Sequence, residues 1–436
     1  MKDEEAPIGV LDTLRATPVT VRYLLGGVLI NQLGAFVQTF LVLYLTHRGL
    51  SVTTAGLGIV AYSVGTIFGT MLGGEFTHRF GPRATIVAAM AGSAPLVAVI
   101  PWLSRPGSLW LLLLVVGLAG LLAQAYRPAA SVLLSDEMPE RHQVMAFSMM
   151  RIALNTGAAL APLIAAGLIL ADWDALFWLD GVTALLYAAL AFVLLPRRPG
   201  PGAQGSAPDE AGTAGDADPG RPAVTGRAAY AAMLRDRKYL CYLAAVLLGT
   251  ITYVQSSIAL PLEVVGDGYP TGLYSGVLTV SSVVLITCEL KITTYILRIP
   301  THTAVVLGHL VNSLGLAVYA LATHSGAFVL LGAVLAVSGL MIAGPSMFAH
   351  PATFPSALKA RYIGTMQAVA GLGLAIGPLF GVFVWSRLGS GFWLLCALVN
   401  GAAGLLAMAG LRRDAEPAAE PAAGPEGNHE VVGDTV

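Results

Sequence analysis

Apolar residues run along this chain in long blocks, with no strand-like alternation. Twelve blocks, nearly free of charge, cover 19–45, 52–77, 83–104, 108–134, 142–170, 172–195, 238–262, 270–297, 300–323, 325–353, 356–387 and 390–411. A helix of about 20 residues crosses a hydrocarbon layer of ~30 Å, so each block predicts one transmembrane helix. The blocks fall six and six around a hydrophilic gap. That gap, Pro199–Arg227, is Gly, Pro, Ala and Asp with little to bury. It predicts a disordered linker, and the tail from Asp414 predicts the same. The expected layout is a cytoplasmic segment (1–18), a six-helix bundle (19–195), a linker (196–237), a second bundle (238–412) and a tail (413–436).

Composition narrows the classes. Of 436 residues, 56% are hydrophobic and 11% charged, where a soluble domain carries roughly a quarter charged residues. The solvent must be lipid over most of the length. A net charge of −1 offers no basic face to nucleic acid. Cys241, Cys288 and Cys396 lie in apolar stretches and read as buried hydrophobes. No cleavable signal peptide is expected, since the first apolar block is too long for a signal core. No nucleotide-binding loop and no metal-ligand spacing is present, so neither an enzyme nor a cofactor is expected. The expected partners are a small-molecule substrate, protons and the bilayer, with the chain a monomer.

Topology follows from the basic residues. With the N-terminus in the cytoplasm, nineteen of the 24 Lys and Arg face inward and three (Arg48, Arg105 and Arg387) face outward. Both termini and the linker are therefore expected inside. The halves also overlay at an offset near 216: Pro139 on Pro355, Gly157 on Gly373, Pro162 on Pro378. Duplicated bundles are the pattern of alternating-access transporters, with the substrate held between the halves.

Three motifs add to this. Gly74, His78, Arg79, Gly81 and Arg83 lie in and around the turn after the second span. Small residues and a proline recur in span five (Gly157, Pro162) and span eleven (Gly373, Gly377, Pro378, Gly381). The third runs from Arg127 and Pro128 through Asp136 to Arg141, then Arg151 and Asn155, with Asp180 and Gly181 opening span six. Over residues 19 to 412 the chain resembles the major facilitator superfamily, and its bacterial drug-efflux members in particular. The resemblance implies two pseudo-symmetric six-helix bundles, an all-α membrane fold that rocks around a midplane cavity. In the family the first motif carries an Asp that locks the cytoplasmic gate. His78 stands there, so the lock is weakened, carried by Glu75, or made pH-dependent through His78, unless the turn only sets topology. The small-residue motif is that of the family's antiporters, although alanine replaces three glycines in span five; ordinary tight packing needs the same residues.

Ionisable groups inside spans are costly, hence candidates for function. Arg127 and Arg151 sit at similar depth in the first half and need acceptors or an anionic substrate. Glu289 sits at comparable depth in the second half, as a proton carrier or as a structural partner of Arg or Lys. Asp180 and His309 are further proton candidates, each with a packing role as its rival. Asn31, Gln32, Phe36, Gln38, Tyr126, Asn155, Tyr253 and Gln255 are expected around the cavity, together with Arg127 and Arg151. Span one has no acidic residue between Val28 and Tyr44, so coupling must use another carboxylate. The expected function is proton-coupled export of small amphiphiles. The alternatives are import of a small anionic metabolite, or a membrane sensor or assembly protein with a transporter fold.

Overall fold

A computed structural model describes residues 9–104, 108–197 and 226–411. Twelve helices in it are long and apolar enough to cross a membrane. Spans one to six are Val19–His47, Thr53–Phe80, Pro82–Leu103, Leu109–Glu137, Glu140–Ala171 and Ala175–Leu194. Spans seven to twelve are Arg237–Gly266, Gly272–Ile296, Thr301–Tyr319, Gly326–Thr353, Ser356–Leu388 and Gly391–Leu411. Each apolar block thus became one helix, as it must where no water is available to satisfy backbone polar groups.

Most of the linker, residues 412–436 and Arg105 lie outside the described residues. The linker's end is helical, at Gly226–Arg235, where Ala, Leu, Met and Arg favour a helix.

The repeat is visible in packing. Span five lies on span one, where a side chain at Gly157 would meet the Gln32 Cβ at 2.6 Å. Span eleven lies likewise on span seven, with Gly373 facing Thr250. Both inner helices are broken near midlength. Span one divides into Val19–Leu33 and Val37–His47, and span seven into Arg237–Tyr253 and Gln255–Gly266. Breaks within the bilayer leave backbone groups in need of partners, and such groups are tolerated only where protein or a cavity supplies them. Pro162 and Pro378 sit inside spans five and eleven, each removing one helical hydrogen bond.

Candidate functional site

The two halves touch at the end that bears the connection between spans two and three, hereafter the loop end. Arg361 of span eleven donates from Nε to Glu75 Oε2 at 2.7 Å and from Nη2 to Oε1 at 3.2 Å. Arg79 donates to the same carboxylate at 2.7 Å. Lys359 reaches Asp136 at 2.8 Å, and Gln367 donates to Ser131 at 3.1 Å. Deeper in, Ser148 and Thr293 share a hydrogen bond of 2.8 Å across the halves. Glu75, three residues before His78, is thus the acid that bridges the halves at this end. His78 is buried with its Nδ1 unpartnered. Gly81 turns the chain at φ +86°, and Arg83 donates to the carbonyls of Ala191 and Phe192 at the end of span six.

The seal depends on close backbone approach. A Cβ at Gly74 would stand 2.7 Å from the Ala360 carbonyl and 3.2 Å from the Gly364 Cα. Backbone cannot yield as a side-chain tip can, so Gly74→Leu should hold the loop end apart. The expected result is thiol labelling of a Ser131→Cys probe from that end at roughly ten times the rate, the factor that a ~1.4 kcal/mol shift in the equilibrium produces. Unchanged labelling would show that the contact is incidental.

Behind the seal lies a cavity of about 470 Å³ lined by both halves. Of the cavity candidates, Gln32, Gln38, Tyr126, Arg127, Arg151, Asn155 and Tyr253 border it, and so does His309, a proton candidate on the sequence. Asn31 lines a smaller pocket of about 30 Å³ inside the first half, together with Tyr62, Gln124, Arg127 and Asp180. Two expected cavity residues are elsewhere. Phe36 is packed in the core of the first half, because the break in span one turns its ring inward. Gln255 is fully buried, donating to the carbonyls of Ile251 at 2.7 Å and Gly377 at 2.9 Å. It fills the space left by Gly377 and Gly381, beside the break in span seven.

The charged groups divide sharply. Arg151 is 3.2 Å from Glu289 Oε1 across the bundle interface and donates to the Leu340 carbonyl at 3.1 Å. Glu289 has no solvent exposure and does not border the cavity. Although the charges are close, neither of its oxygens receives an aligned hydrogen bond. Coulombic attraction alone holds this contact, which leaves the carboxylate under-satisfied. Gly344 makes room for the guanidinium, since a Cβ there would overlap it. Asn155 donates to the Arg151 carbonyl at 2.8 Å.

Arg127 differs. It borders both the cavity and the small pocket, and among the described residues it has neither an ion pair nor a hydrogen bond. Asp180, which lines the same small pocket, accepts from the backbone N–H groups of Phe36 at 3.1 Å and Val37 at 3.3 Å. Its carboxylate therefore caps the second half of span one, where the exposed N–H groups favour an anion.

His309 and Asn312 both bond into the second half. Asn312 donates to the Ala336 carbonyl at 2.8 Å, and His309 Nδ1 lies 3.2 Å from Asn400 Oδ1. Sequence alone did not single out Asn400, although an amide midway along an apolar span is a legible signal. Glu263 was also missed. It is buried near the far end of span seven, accepting from the Trp385 indole, just past where the apolar block ends. Among the described residues no group of His, Cys, Asp or Glu could hold a metal.

Comparison with known proteins places this geometry. The family model for the Major Facilitator Superfamily matches residues 24–353. The chain is 24% identical to the uncharacterized transporter YqjV of that type from Bacillus subtilis (strain 168), over 81% of this chain and 82% of the other. It is 23% identical to a Na(+), Li(+), K(+)/H(+) antiporter from Planococcus maritimus, with 82% and 87% covered. It is 27% identical to the 3-(3-hydroxy-phenyl)propionate transporter of Escherichia coli (strain K12), with 72% and 74% covered. Among solved structures, a bacterial homologue of the iron transporter ferroportin in an outward-facing state matches with a TM-score of 0.68 at 17% identity, over 90% and 98% of the two chains. A family of transporters and not of enzymes, twelve spans in two repeated halves and a cavity between them converge: this chain is a multi-pass membrane transporter of the major facilitator superfamily.

Proposed function

We propose that this protein carries small organic anions, aromatic carboxylates above all, across the plasma membrane together with a proton. The observation that carries this reading is the lone cation on the cavity wall. Of the two intramembrane arginines, Arg151 is committed to Glu289, whereas Arg127 has no ion-pair or hydrogen-bond partner among the described residues. A cation in a membrane cavity costs several kcal/mol unless hydrated or neutralised, and a planar guanidinium matches a carboxylate in two parallel hydrogen bonds. The same charge repels cationic amphiphiles, so uptake of an anion accounts for the site better than export of cationic drugs. A cavity of about 470 Å³ suits one aromatic acid. The relative from Escherichia coli is named for an aromatic carboxylate, and two others, covering a third of this chain, are named for 4-hydroxybenzoate and gallate.

The loop end, rich in Lys and Arg, is the cytoplasmic face by charge bias. The sealed loop end then makes the present state outward-facing. Glu289 is the proton carrier. Protonation removes its charge, the attraction to Arg151 lapses, and the halves can part at the cytoplasmic side. An anion held by Arg127 and a proton held by Glu289 move as a neutral pair, so an inward proton gradient drives uptake.

A ligand that binds only the folded protein raises its melting temperature. Purified protein in detergent should therefore be stabilised by millimolar benzoate-type acids and left unmoved by cationic dyes of similar size. Stabilisation by the dyes and not by the acids would overturn the anion assignment.

A further inference from the structure

The cavity has a second polar feature, on the wall that the second half supplies. Asn400 of span twelve donates from Nδ2 to the His309 carbonyl at 2.9 Å and to Ser313 Oγ at 3.0 Å. Only a donor can sit 2.9 Å from a carbonyl oxygen, so the orientation of this amide is fixed. Its Oδ1 then faces the His309 ring at 3.2 Å and Thr252 Oγ1 at 3.3 Å. An amide oxygen can only accept, so the proton of a neutral His309 must reside on Nδ1. The polar neighbours of the ring, Asn400, Ser313 and Thr252, are all uncharged. Among the described residues no carboxylate bonds to the ring to hold a second proton.

Nε2 is left as a lone pair. It has no hydrogen bond among the described residues, and it is not among the fully buried unpartnered atoms. The residue borders the cavity, and Gly249 beside it also lines the wall. A side chain at Gly249 would stand 3.4 Å from the His309 Cε1, so this glycine keeps the ring edge uncovered. Gly404 on span twelve accommodates the other side of the residue, where a Cβ would come within 2.8 Å of the His309 Cβ.

We infer that His309 Nε2 accepts a hydrogen bond from a hydroxyl on the substrate, so that the site selects hydroxylated aromatic carboxylates over the same acids without the hydroxyl. The inference rests on the carboxylate being held by Arg127. Arg127 fixes one end of the molecule from the first half and His309 reads the other end from the second, which ties recognition to both bodies that move. A site built to take a hydroxyl discriminates strongly, because without that group its buried acceptor goes unpaired.

The test is a ratio of affinities, measured on purified full-length protein with 4-hydroxybenzoate against benzoate and with 3-(3-hydroxyphenyl)propionate against 3-phenylpropionate. At least one pair should favour the hydroxylated acid by about tenfold, the worth of one hydrogen bond to a positioned acceptor. In His309→Asn the side-chain amide can still donate to Asn400 as Nδ1 did, but nothing replaces Nε2; the ratio should fall toward one. Gly249→Ala, which covers the ring edge at ordinary contact distance and leaves the Asn400 network alone, should lower it too. Arg127→Ala should weaken both members of a pair alike and preserve the ratio. A preference that survives in both His309→Asn and Gly249→Ala overturns the assignment to His309 while leaving Arg127 in place. A wild-type ratio near one in both pairs overturns it as well, and failure of every acid to bind removes the carboxylate reading and this one together.

Discussion

Arg127→Ala lowers the affinity for aromatic carboxylates by roughly 10- to 100-fold, the range expected for losing charge-assisted hydrogen bonds of about 1.5–3 kcal/mol. The loss should be confined to anions, with a neutral ester of the same acid binding wild type and variant alike. Arg127→Lys should fall between, because a single ammonium keeps the charge and loses the two-pronged match to a carboxylate. Stability provides an internal control. Arg127 has no ion-pair partner among the described residues, so its removal orphans no buried acid. The melting temperature of the substrate-free protein should hardly move. Isothermal titration with benzoate and its methyl ester measures both halves of this prediction, and undiminished benzoate affinity in Arg127→Ala would remove the basis of the anion assignment.

Glu289→Gln has the other large effect. The amide imitates the protonated acid and cannot release a proton, so accumulation driven by a pH gradient should be lost. Exchange of labelled for unlabelled substrate needs no net proton movement and should persist. The variant should also be less stable. Arg151 would keep its bond to the Leu340 carbonyl and lose its counter-charge, and breaking one partner of a buried pair costs about 3–5 kcal/mol. That figure is an upper bound here, since Arg151 borders the cavity and can be hydrated. Replacing both partners by methionine should recover much of the stability and none of the coupling. Gradient-driven uptake at the wild-type level in Glu289→Gln would exclude this carboxylate as the proton carrier.

The architecture was legible because the bilayer imposes it. Twelve apolar blocks became twelve helices with ends displaced by four residues or fewer, since length and hydrophobicity decide both membrane insertion and helix formation. The repeat was legible for the same reason that it exists: Gly157 and Gly373 hold the same close contact in each half. The site was only partly legible. That Arg127, Arg151 and Glu289 were exceptional followed from their place in apolar spans. Which of them pair depended on helix rotation, which a chain apolar on most faces does not encode. The lock illustrates this limit. Glu75 was one of three possibilities on the sequence, and its partner Arg361 comes from span eleven, 286 residues away. Phe36 and Gln255 were misplaced because both lie at breaks in otherwise continuous apolar blocks, and a break rotates every side chain beyond it. Asn400 escaped notice as one neutral amide among many. Only the His309 carbonyl beside it gives that amide its meaning.

The measurement that bears most directly on the whole account is flux into proteoliposomes of labelled 4-hydroxybenzoate, with an inward proton gradient imposed and the protein reconstituted at full length. Coupled transport of an anion with a proton predicts accumulation above the external concentration, collapse of that accumulation on adding an uncoupler, and none in Arg127→Ala. Uptake that only equilibrates, or that is indifferent to the gradient, would contradict it.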